Sequence, residues 1–311
     1  MPKSMKNIIL LAKSHVTAGV DPVPAAATNA ILVRGFVPQP IKAEFVDRSL
    51  IRGFKGNFGK LMVGNYRMFE FEVELAGAGA AGTAPAFGPL LKACHWSETV
   101  NAGISVVYAP VENITLGVAM YAWIDGARYI MLDAQGSVEF AMNAKQIPVM
   151  RFKFMGAYQA ATDTVNATGL VYTAWTRPLT VGKVNTPTFT LHGLAGVCES
   201  LSFDQANQLQ WRDLIGANGP YVPDRSPSMK AVIELPTIAA KDFAEVARLG
   251  TEGAVQVIHG TTAGNIIQID APKAQVQAEP QVQNAGEVAM LSLDFSLNPN
   301  AGSDEIVLTV K

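Results

Sequence analysis

The segment FEFEVEL (Phe69–Leu75) restricts the fold more than any other part of this sequence. Apolar side chains occupy every second position, and glutamates occupy the positions between them. A period of two is typical of an antiparallel strand with one buried face and one solvated face. Further alternating runs predict a chain built mainly of strands: Ser137–Met142, Met150–Met155, Ile266–Asp270, Ala274–Glu279, Leu291–Leu297 and Glu305–Lys311.

Helices are scarce in the sequence. Only Ala86–Trp96 and Ala239–Gly250 have a helical pattern, and the second ends on a glycine suited to a left-handed helix stop. A doubly wound parallel sheet needs a crossover helix between successive strands. Two helices are too few for that arrangement, so the sequence predicts a mainly β fold.

The order of elements around Phe69 resembles the order around Lys230. In both places an alternating strand precedes a predicted helix, and further strands, a polar loop and a polar tail follow. Self-similarity of this kind indicates a repeated structural unit. We therefore predict two tandem β-sandwich or barrel-like domains, each with one flanking helix, over residues 1–178 and 179–311.

The composition disfavours several classes of function. Charged residues make up 16% of the 311 residues and hydrophobic residues 49%, whereas soluble domains are about 25% charged. No apolar run reaches the roughly 20 residues of a membrane helix, so burial against other protein copies explains the low charge better than membrane insertion does. A net charge of −2 disfavours a general nucleic-acid binder. Two cysteines do not form a disulfide framework, and the short apolar run Ile8–Ala12 does not form a secretory signal.

A Gly/Ala-rich loop, Ala76–Pro85, lies between the alternating strand and the first predicted helix. Gly77, Gly79 and Gly82 fit the spacing G-x-G-x-x-G of dinucleotide-binding loops. That motif requires a parallel β-α-β unit, and the neighbouring strands alternate as antiparallel strands do. The lysine of a phosphate-binding loop is also missing, since Thr83 follows Gly82. The sequence favours a mobile connector.

Catalytic and metal-binding patterns are absent from the sequence. The four histidines are scattered, and no nucleophile motif accompanies the serines. Glu70, Glu72 and Glu74 could be read as acid–base carboxylates, but three like charges on one strand face more simply form a solvated surface or the wall of a wide, wet channel. We predict no enzyme activity, no cofactor and no metal.

Long stretches of the chain resemble the major tail tube proteins of phages with long, non-contractile tails. They include FEFEVELAGAGAAGTAPAFGPLLKACHWSETVNAGISVVYAPV and MYAWIDGARYIMLDAQGSVEFAMNAKQIPVMRFKFMGAY, with the N-terminal and C-terminal regions in the same order. The resemblance implies a β-sandwich whose copies form rings, with inner sheets joined into a barrel, and rings that stack. For a duplicated domain it implies a trimeric, pseudo-sixfold ring.

The resemblance also implies partners and a location. The chain would contact itself, a tape-measure protein, a tail terminator, distal tail or tip proteins, and double-stranded DNA passing through the lumen without sequence-specific binding. It would be assembled in the host cytoplasm and reside in the virion tail, without membrane insertion.

Two groups of residues are candidates for these roles. Acidic and amide groups let DNA slide, because each phosphate neutralised by a cation adds salt-dependent affinity. We expect Lys153 and Lys230 to pair with such carboxylates. The candidate lumen residues are Glu70, Glu72, Glu74, Glu139, Glu234, Gln275, Gln277 and Glu279. The candidate assembly loop, mobile in the free subunit and ordered against a neighbour, spans residues 76–85 and includes Ala76, Gly77, Gly79, Gly82, Thr83 and Pro85.

Two alternatives remain open from the sequence. The first is a tube of similar fold in a tail-like bacteriocin, a gene-transfer particle or a contractile secretion machine. The second is a two-domain β-sandwich adhesin or carbohydrate-binding protein, in which Trp123, Trp175 and Trp211 would be exposed aromatic platforms.

Overall fold

A computed structural model describes residues 2–17, 19–114 and 116–311. Strands account for 49% of the chain and helices for 6%, so the predicted mainly β fold is confirmed. The helices are α1 (Ala26–Asn29), α2 (Gly88–Ala93) and α3 (Phe243–Leu249). The strands of the first half are β1 (Ile8–Ser14), β2 (Ala30–Ile31), β3 (Arg34–Asp47), β4 (Lys60–Glu74), β5 (Thr99–Asn101), β6 (Ser105–Tyr108), β7 (Val118–Ile124), β8 (Ala127–Asn143), β9 (Val149–Tyr158) and β10 (Thr162–Asp163). Those of the second half are β11 (Thr188–Leu191), β12 (Cys198–Asp204), β13 (Gln210–Leu214), β14 (Ala217–Tyr221), β15 (Ser228–Glu234), β16 (Glu252–His259), β17 (Ile267–Val276), β18 (Gln281–Ala285), β19 (Val288–Asn298) and β20 (Val307–Val310).

Both predicted helices are present but shorter than their sequence patterns. Helix α3 begins where the Asp242 side chain accepts hydrogen bonds from the amides of Ala244 and Glu245, at 3.0 and 3.1 Å. This is the usual way to satisfy free amides at a helix start. The helix ends at Gly250, whose φ of 61° is left-handed as predicted.

A first sheet runs through both halves of the chain in the order β3-β4-β9-β8-β12-β15-β19-β18, all antiparallel. The halves join where β12 pairs with the C-terminal part of β8, with Leu201 opposite Met142 and Phe203 opposite Phe140. The alternation predicted a buried face, and this is correct. The alternating apolar side chains that enter the core are Phe69, Phe71 and Val73 of β4, Phe152 and Phe154 of β9, Leu201 and Phe203 of β12, and Leu291, Leu293 and Phe295 of β19.

A second layer packs against the first. In the first half it contains β2, β1, β7 and the N-terminal part of β8. In the second half the order is β11-β16-β17-β20-β6-β5, so β6 of the first half pairs with β20 of the second. Long strands β8 and β17 belong to both layers, because each changes partner along its length. One contiguous core lies between the layers and draws on both halves.

The two halves share a set of strand pairings. Six pairings of the first half have a counterpart in the second half, in the same chain order and direction. They are β1–β7 with β11–β16, β7–β8 with β16–β17, β8–β9 with β17–β19, β4–β9 with β15–β19, β3–β4 with β12–β15, and β8–β10 with β17–β20. Helix α2 follows β4, and α3 follows β15. The halves differ in the β5–β6 hairpin of the first and the β13–β14 hairpin of the second.

Candidate tube-lining and assembly surfaces

The solvated side of the first sheet, here called the polar face, carries most of the predicted lumen residues. One row crosses both halves: Glu72 faces Arg151, Arg151 faces Glu139, and Glu139 faces Asp204. The row continues through β15 and β19 to Gln275 on β17. The other members of the polar face are Glu70, Glu74, Ser137, Lys153, Ser200, Ser202, Lys230, Glu234, Ser292, Asp294 and Ser296.

Cations on the polar face form ion pairs with its carboxylates. Glu72 forms ion pairs with Arg34 at 3.0 Å and with Arg151 at 3.2 Å, and Arg151 also pairs with Glu139 at 3.2 Å. Partial burial alone would lower the pKa of Arg151, but the hydrogen bonds and charges of Glu139 and Glu72 outweigh it and raise the pKa. Lys153 lies 3.8 Å from Glu70, as predicted. Exposed pairs of this kind add at most about 1 kcal/mol to stability, so their main effect is on the charge of the surface.

The second half completes the polar face with fewer charges. Lys230 pairs with Asp294 at 3.3 Å, rather than with a predicted lumen carboxylate. The Gln275 side chain donates to the carbonyl of Gly250 at 3.1 Å and accepts from Asn298 at 3.3 Å. Burial raises the pKa of Asp204, although the carboxylate accepts a hydrogen bond from a backbone amide. Among the described residues, Glu74 and Glu234 form no ion pair.

The predicted strand Ala274–Glu279 is corrected by the structure. Strand β17 is continuous from Ile267 and ends at Val276, so Gln277 and Glu279 are exposed residues of the connection to β18. The Gln277 amide still donates to the Asp294 carbonyl at 2.9 Å. The connection then reaches Pro280, which has no N–H with which to extend the strand.

The Gly/Ala-rich loop is docked on the second half of its own chain. The amide of Gly77 donates to the Asn265 side chain and that of Gly79 to the carbonyl of Gly264, each at 2.9 Å. A Cβ on Gly77 would lie 2.1 Å from the Gly264 oxygen, so this close approach requires glycine. The loop residues Ala76 and Gly77 are buried. The structure therefore places these residues at a junction between halves, and the predicted contact with a neighbouring copy stays a prediction.

The remaining loop residues lead into α2. Gly82, with φ of 68°, packs so tightly that an added Cβ would lie 2.2 Å from the amide nitrogen of Gly103. Thr83 is exposed, and Pro85 is buried directly before the helix. Because Gly77 and Gly79 donate within the chain and β4 pairs antiparallel with both neighbours, the loop does not have the parallel setting of a dinucleotide site.

Two hairpin extensions were missed by the sequence patterns. Strands β3 and β4 continue beyond the sheet as a long hairpin, and β13 with β14 forms a shorter one. The two contact each other where Tyr66 stacks on Trp211, with ring centroids 5.4 Å apart. Exposed apolar residues such as Ile51, Phe54 and Ile215 lie near their ends. The sequence carried one indication of the β3–β4 hairpin. Its glycine-rich, basic stretch DRSLIRGFKGNFGK does not alternate, as expected of a segment that has no buried face.

The tryptophans proposed as carbohydrate platforms are engaged in packing. Trp123 is buried in a small cluster with Tyr121, and its indole N–H donates to Thr164 at 3.1 Å. Trp175 packs against the main core and donates to the Ala30 carbonyl at 3.0 Å. With Trp211 stacked on Tyr66, none of the three is an open aromatic platform.

The fold and its surfaces are those of a structural β protein with an extended polar sheet. A family model described as "Phage tail tube protein" matches residues 19–297. The chain therefore belongs to the phage tail tube protein family, a structural and non-enzymatic family, and is a component of the virion tail. No curated protein matches the chain. None of the helices in the described residues is long and apolar enough to span a membrane.

Proposed function

We propose that the chain forms the tube of a long, non-contractile phage tail, through which the genome passes from capsid to host. The observation that carries this proposal is the polar face, which continues across both halves without a break in strand pairing. A polar sheet of this kind, closed by further copies, forms the wall of a water-filled channel.

A ring of three chains follows from the matched strand pairings. If each half of the chain is one tube domain, over residues 1–178 and 179–311, three chains supply six similar domains and the ring is pseudo-sixfold. The low charged fraction supports large interfaces between copies. Interfaces of this obligate kind bury roughly 2,000 Å² or more.

The charges of the polar face suit a channel for DNA. Its carboxylates outnumber its cations, and Arg151, Lys153 and Lys230 each lie beside a carboxylate. A cation already paired in this way attracts a phosphate less than a free one does, because the neighbouring carboxylate repels the phosphate. DNA would therefore move along the wall without being held by it, and the same wall would hold the tape-measure protein before the genome enters.

The hairpin extensions support stacking of one ring on the next. The β3–β4 hairpin carries apolar side chains that are exposed on the single chain, with Ile51 and Phe54 at its end and Phe45 and Leu61 along its strands. Exposed apolar groups concentrated on a projection mark an interaction site. At the two ends of the tube, the tail terminator and the tip proteins would cover the surfaces that rings otherwise cover. Assembly in the host cytoplasm completes the proposal.

A charge-reversal experiment tests the lumen assignment. Glu74→Lys combined with Glu234→Lys changes the last residues of β4 and β15, two strands that correspond in the shared set of pairings. Neither glutamate forms an ion pair among the described residues. Tubes should still form, and DNA release should slow at low salt and recover at high salt. Each new phosphate contact steepens the salt dependence by about 0.9 in log–log slope.

The control makes the same change in charge away from the polar face, Asp163→Lys with Glu245→Lys. Their carboxylates pair with Lys3 and Arg248 at the surface, and loss of exposed pairs of this kind costs at most about 1 kcal/mol each. Control particles should release DNA as the unmodified particles do. Wild-type release at both salts by the Glu74 and Glu234 variant would remove these residues from the lumen. A tail-like particle that carries no genome is the alternative with the same architecture, and DNA-filled heads on particles containing this chain exclude it.

A further inference from the structure

The first sheet has two outer edges that carry no partner among the described residues. One is the side of β3 away from β4, and the other is the side of β18 away from β19. Neither Gly35–Gln39 nor Gln281–Ala285 contains a charged residue, and Val282 is 65% exposed. Proteins that stay monomeric protect sheet edges with charges or cover them. The remainder of β3 does carry charged residues, among them Arg34, Lys42 and Glu44. The two uncharged segments are therefore the parts of these edges that another chain can cover.

The junction between the two halves shows how such edges meet in this fold. Strand β12 pairs antiparallel with β8, with Ser202 opposite Ala141 and Phe203 opposite Phe140. Because β12 corresponds to β3 in the shared set of pairings, the same kind of junction can form between β3 and the second half of another copy.

Equivalent positions of the two halves fix the register of that junction. Glu74 and Glu234 are taken as equivalent because each is the last residue of its strand, β4 or β15, ahead of the helix of its half. In the first half, Glu74 opposes Val149, which opposes Ala141. In the second half, Glu234 opposes Met290, which opposes Gln283. Gln283 of β18 therefore occupies, beside β19, the place that Ala141 of β8 occupies beside β9.

The other side of the junction follows in the same way. Ser202 opposes Lys230, which lies four residues before Glu234. Val37 opposes Glu70, which lies four residues before Glu74. Val37 therefore occupies the place of Ser202.

We propose that β3 of one copy pairs antiparallel with β18 of the next, with Val37 opposite Gln283. This inference rests on the proposed ring and specifies its interface. The same register places Pro38 opposite Val282, which covers an exposed apolar side chain. It continues the polar face from one chain to the next, as β8 and β12 continue it within the chain.

The prolines of β3 make this junction weaker than the internal one. Pro38 and Pro40 have no N–H, so β3 offers fewer donors for pairing than an ordinary edge strand. Weak pairing along this edge limits association between free subunits. Once a ring begins to form, its other contacts stabilise the β3–β18 junction.

Disulfide cross-linking of the full chain tests the register. Val37→Cys and Gln283→Cys are introduced together with Cys198→Ser, while Cys94 is retained because it is buried. Directly opposed residues have Cα atoms about 4.5–5.5 Å apart, within the disulfide range of about 4.4–6.8 Å. We expect assembled tubes to oxidise into a covalent series that ends at the trimer.

Two register controls pair Val37→Cys with Gln281→Cys or with Ala285→Cys. These diagonal partners lie about 7–8 Å away and should cross-link at least several-fold less. If the double variant does not assemble, chains carrying Val37→Cys alone are mixed with chains carrying Gln283→Cys alone, and a cross-linked dimer is expected.

The inference is wrong if tubes form and the best cross-link involves Gln281 or Ala285, or if neither the double variant nor the mixture cross-links. In those cases the proposed register is wrong, and the proposal of a ring is unaffected. If the unmodified chain forms neither rings nor tubes, the proposed function fails first.

Discussion

Replacing Gly77 with alanine should separate the Gly/Ala-rich loop from the second half of the chain. The new Cβ would lie 2.1 Å from the Gly264 oxygen and 2.7 Å from the Asn265 Cα, so the two backbones must move apart. That movement lengthens the hydrogen bonds from Gly77 and Gly79, each 2.9 Å. Forced contacts in packed regions cost about 1–3 kcal/mol, and each hydrogen bond contributes about 0.5–1.5 kcal/mol. We expect the free energy of unfolding to fall by about 2–4 kcal/mol.

The matched control is Gly182→Ala, because nothing lies within 4 Å of its added Cβ and its φ is not positive. Alanine there should change stability by less than about 0.5 kcal/mol or stabilise slightly. Urea unfolding of the unassembled subunit, followed by circular dichroism, measures both variants. Equal unfolding free energies for Gly77→Ala and Gly182→Ala would refute docking of the loop within the chain and restore the interpretation of a free, mobile connector.

Three further substitutions test particular contacts of the subunit. Asp242→Ala removes the cap of α3 and should lower the unfolding free energy by about 1 kcal/mol; a change below a few tenths would contradict the cap. Arg225→Ala leaves the Glu305 side chain, 8% exposed, without the cation that lies 3.1 Å away, and should lower the unfolding free energy by about 3–5 kcal/mol. Glu112→Gln changes an exposed partner of the same arginine and should lower it by less than about 1 kcal/mol. Equal shifts in melting temperature for the two variants would refute this difference. Burial lowers the pKa of His259, so the unfolded chain takes up a proton first, and stability should be lost as pH falls below about 6.5, less so in His259→Asn; identical urea midpoints of the two proteins across this range would count against it.

The alternation of the sequence was sufficient to predict the strands that form the core. Phe69, Phe71, Val73 and Leu75 are at most 2% exposed, as a period of two requires. The predicted mainly β fold and the membership of the tail tube family are confirmed. The duplication was inferred from element order alone and stays a prediction, and the strand pairings that the two halves share are consistent with it.

Partners across the sheet could not be predicted from the same pattern. Periodicity shows which face of a strand is buried but not which strand lies beside it, so the pairing of β8 with β12 was not expected. The docking of Gly77 on Gly264 depends on a close backbone approach that composition alone does not reveal. The long β3–β4 hairpin was missed because residues exposed on both faces have no reason to alternate.

The central claim, that three chains form a pseudo-sixfold ring lined by the polar face, is tested most directly by electron cryomicroscopy. The measurement is an image reconstruction of tubes assembled from the purified chain. We expect three chains per ring, six sheet segments around the lumen, and Glu74 and Glu234 on the channel wall. Six chains per ring, or rings in which the polar face points away from the channel, would contradict the claim.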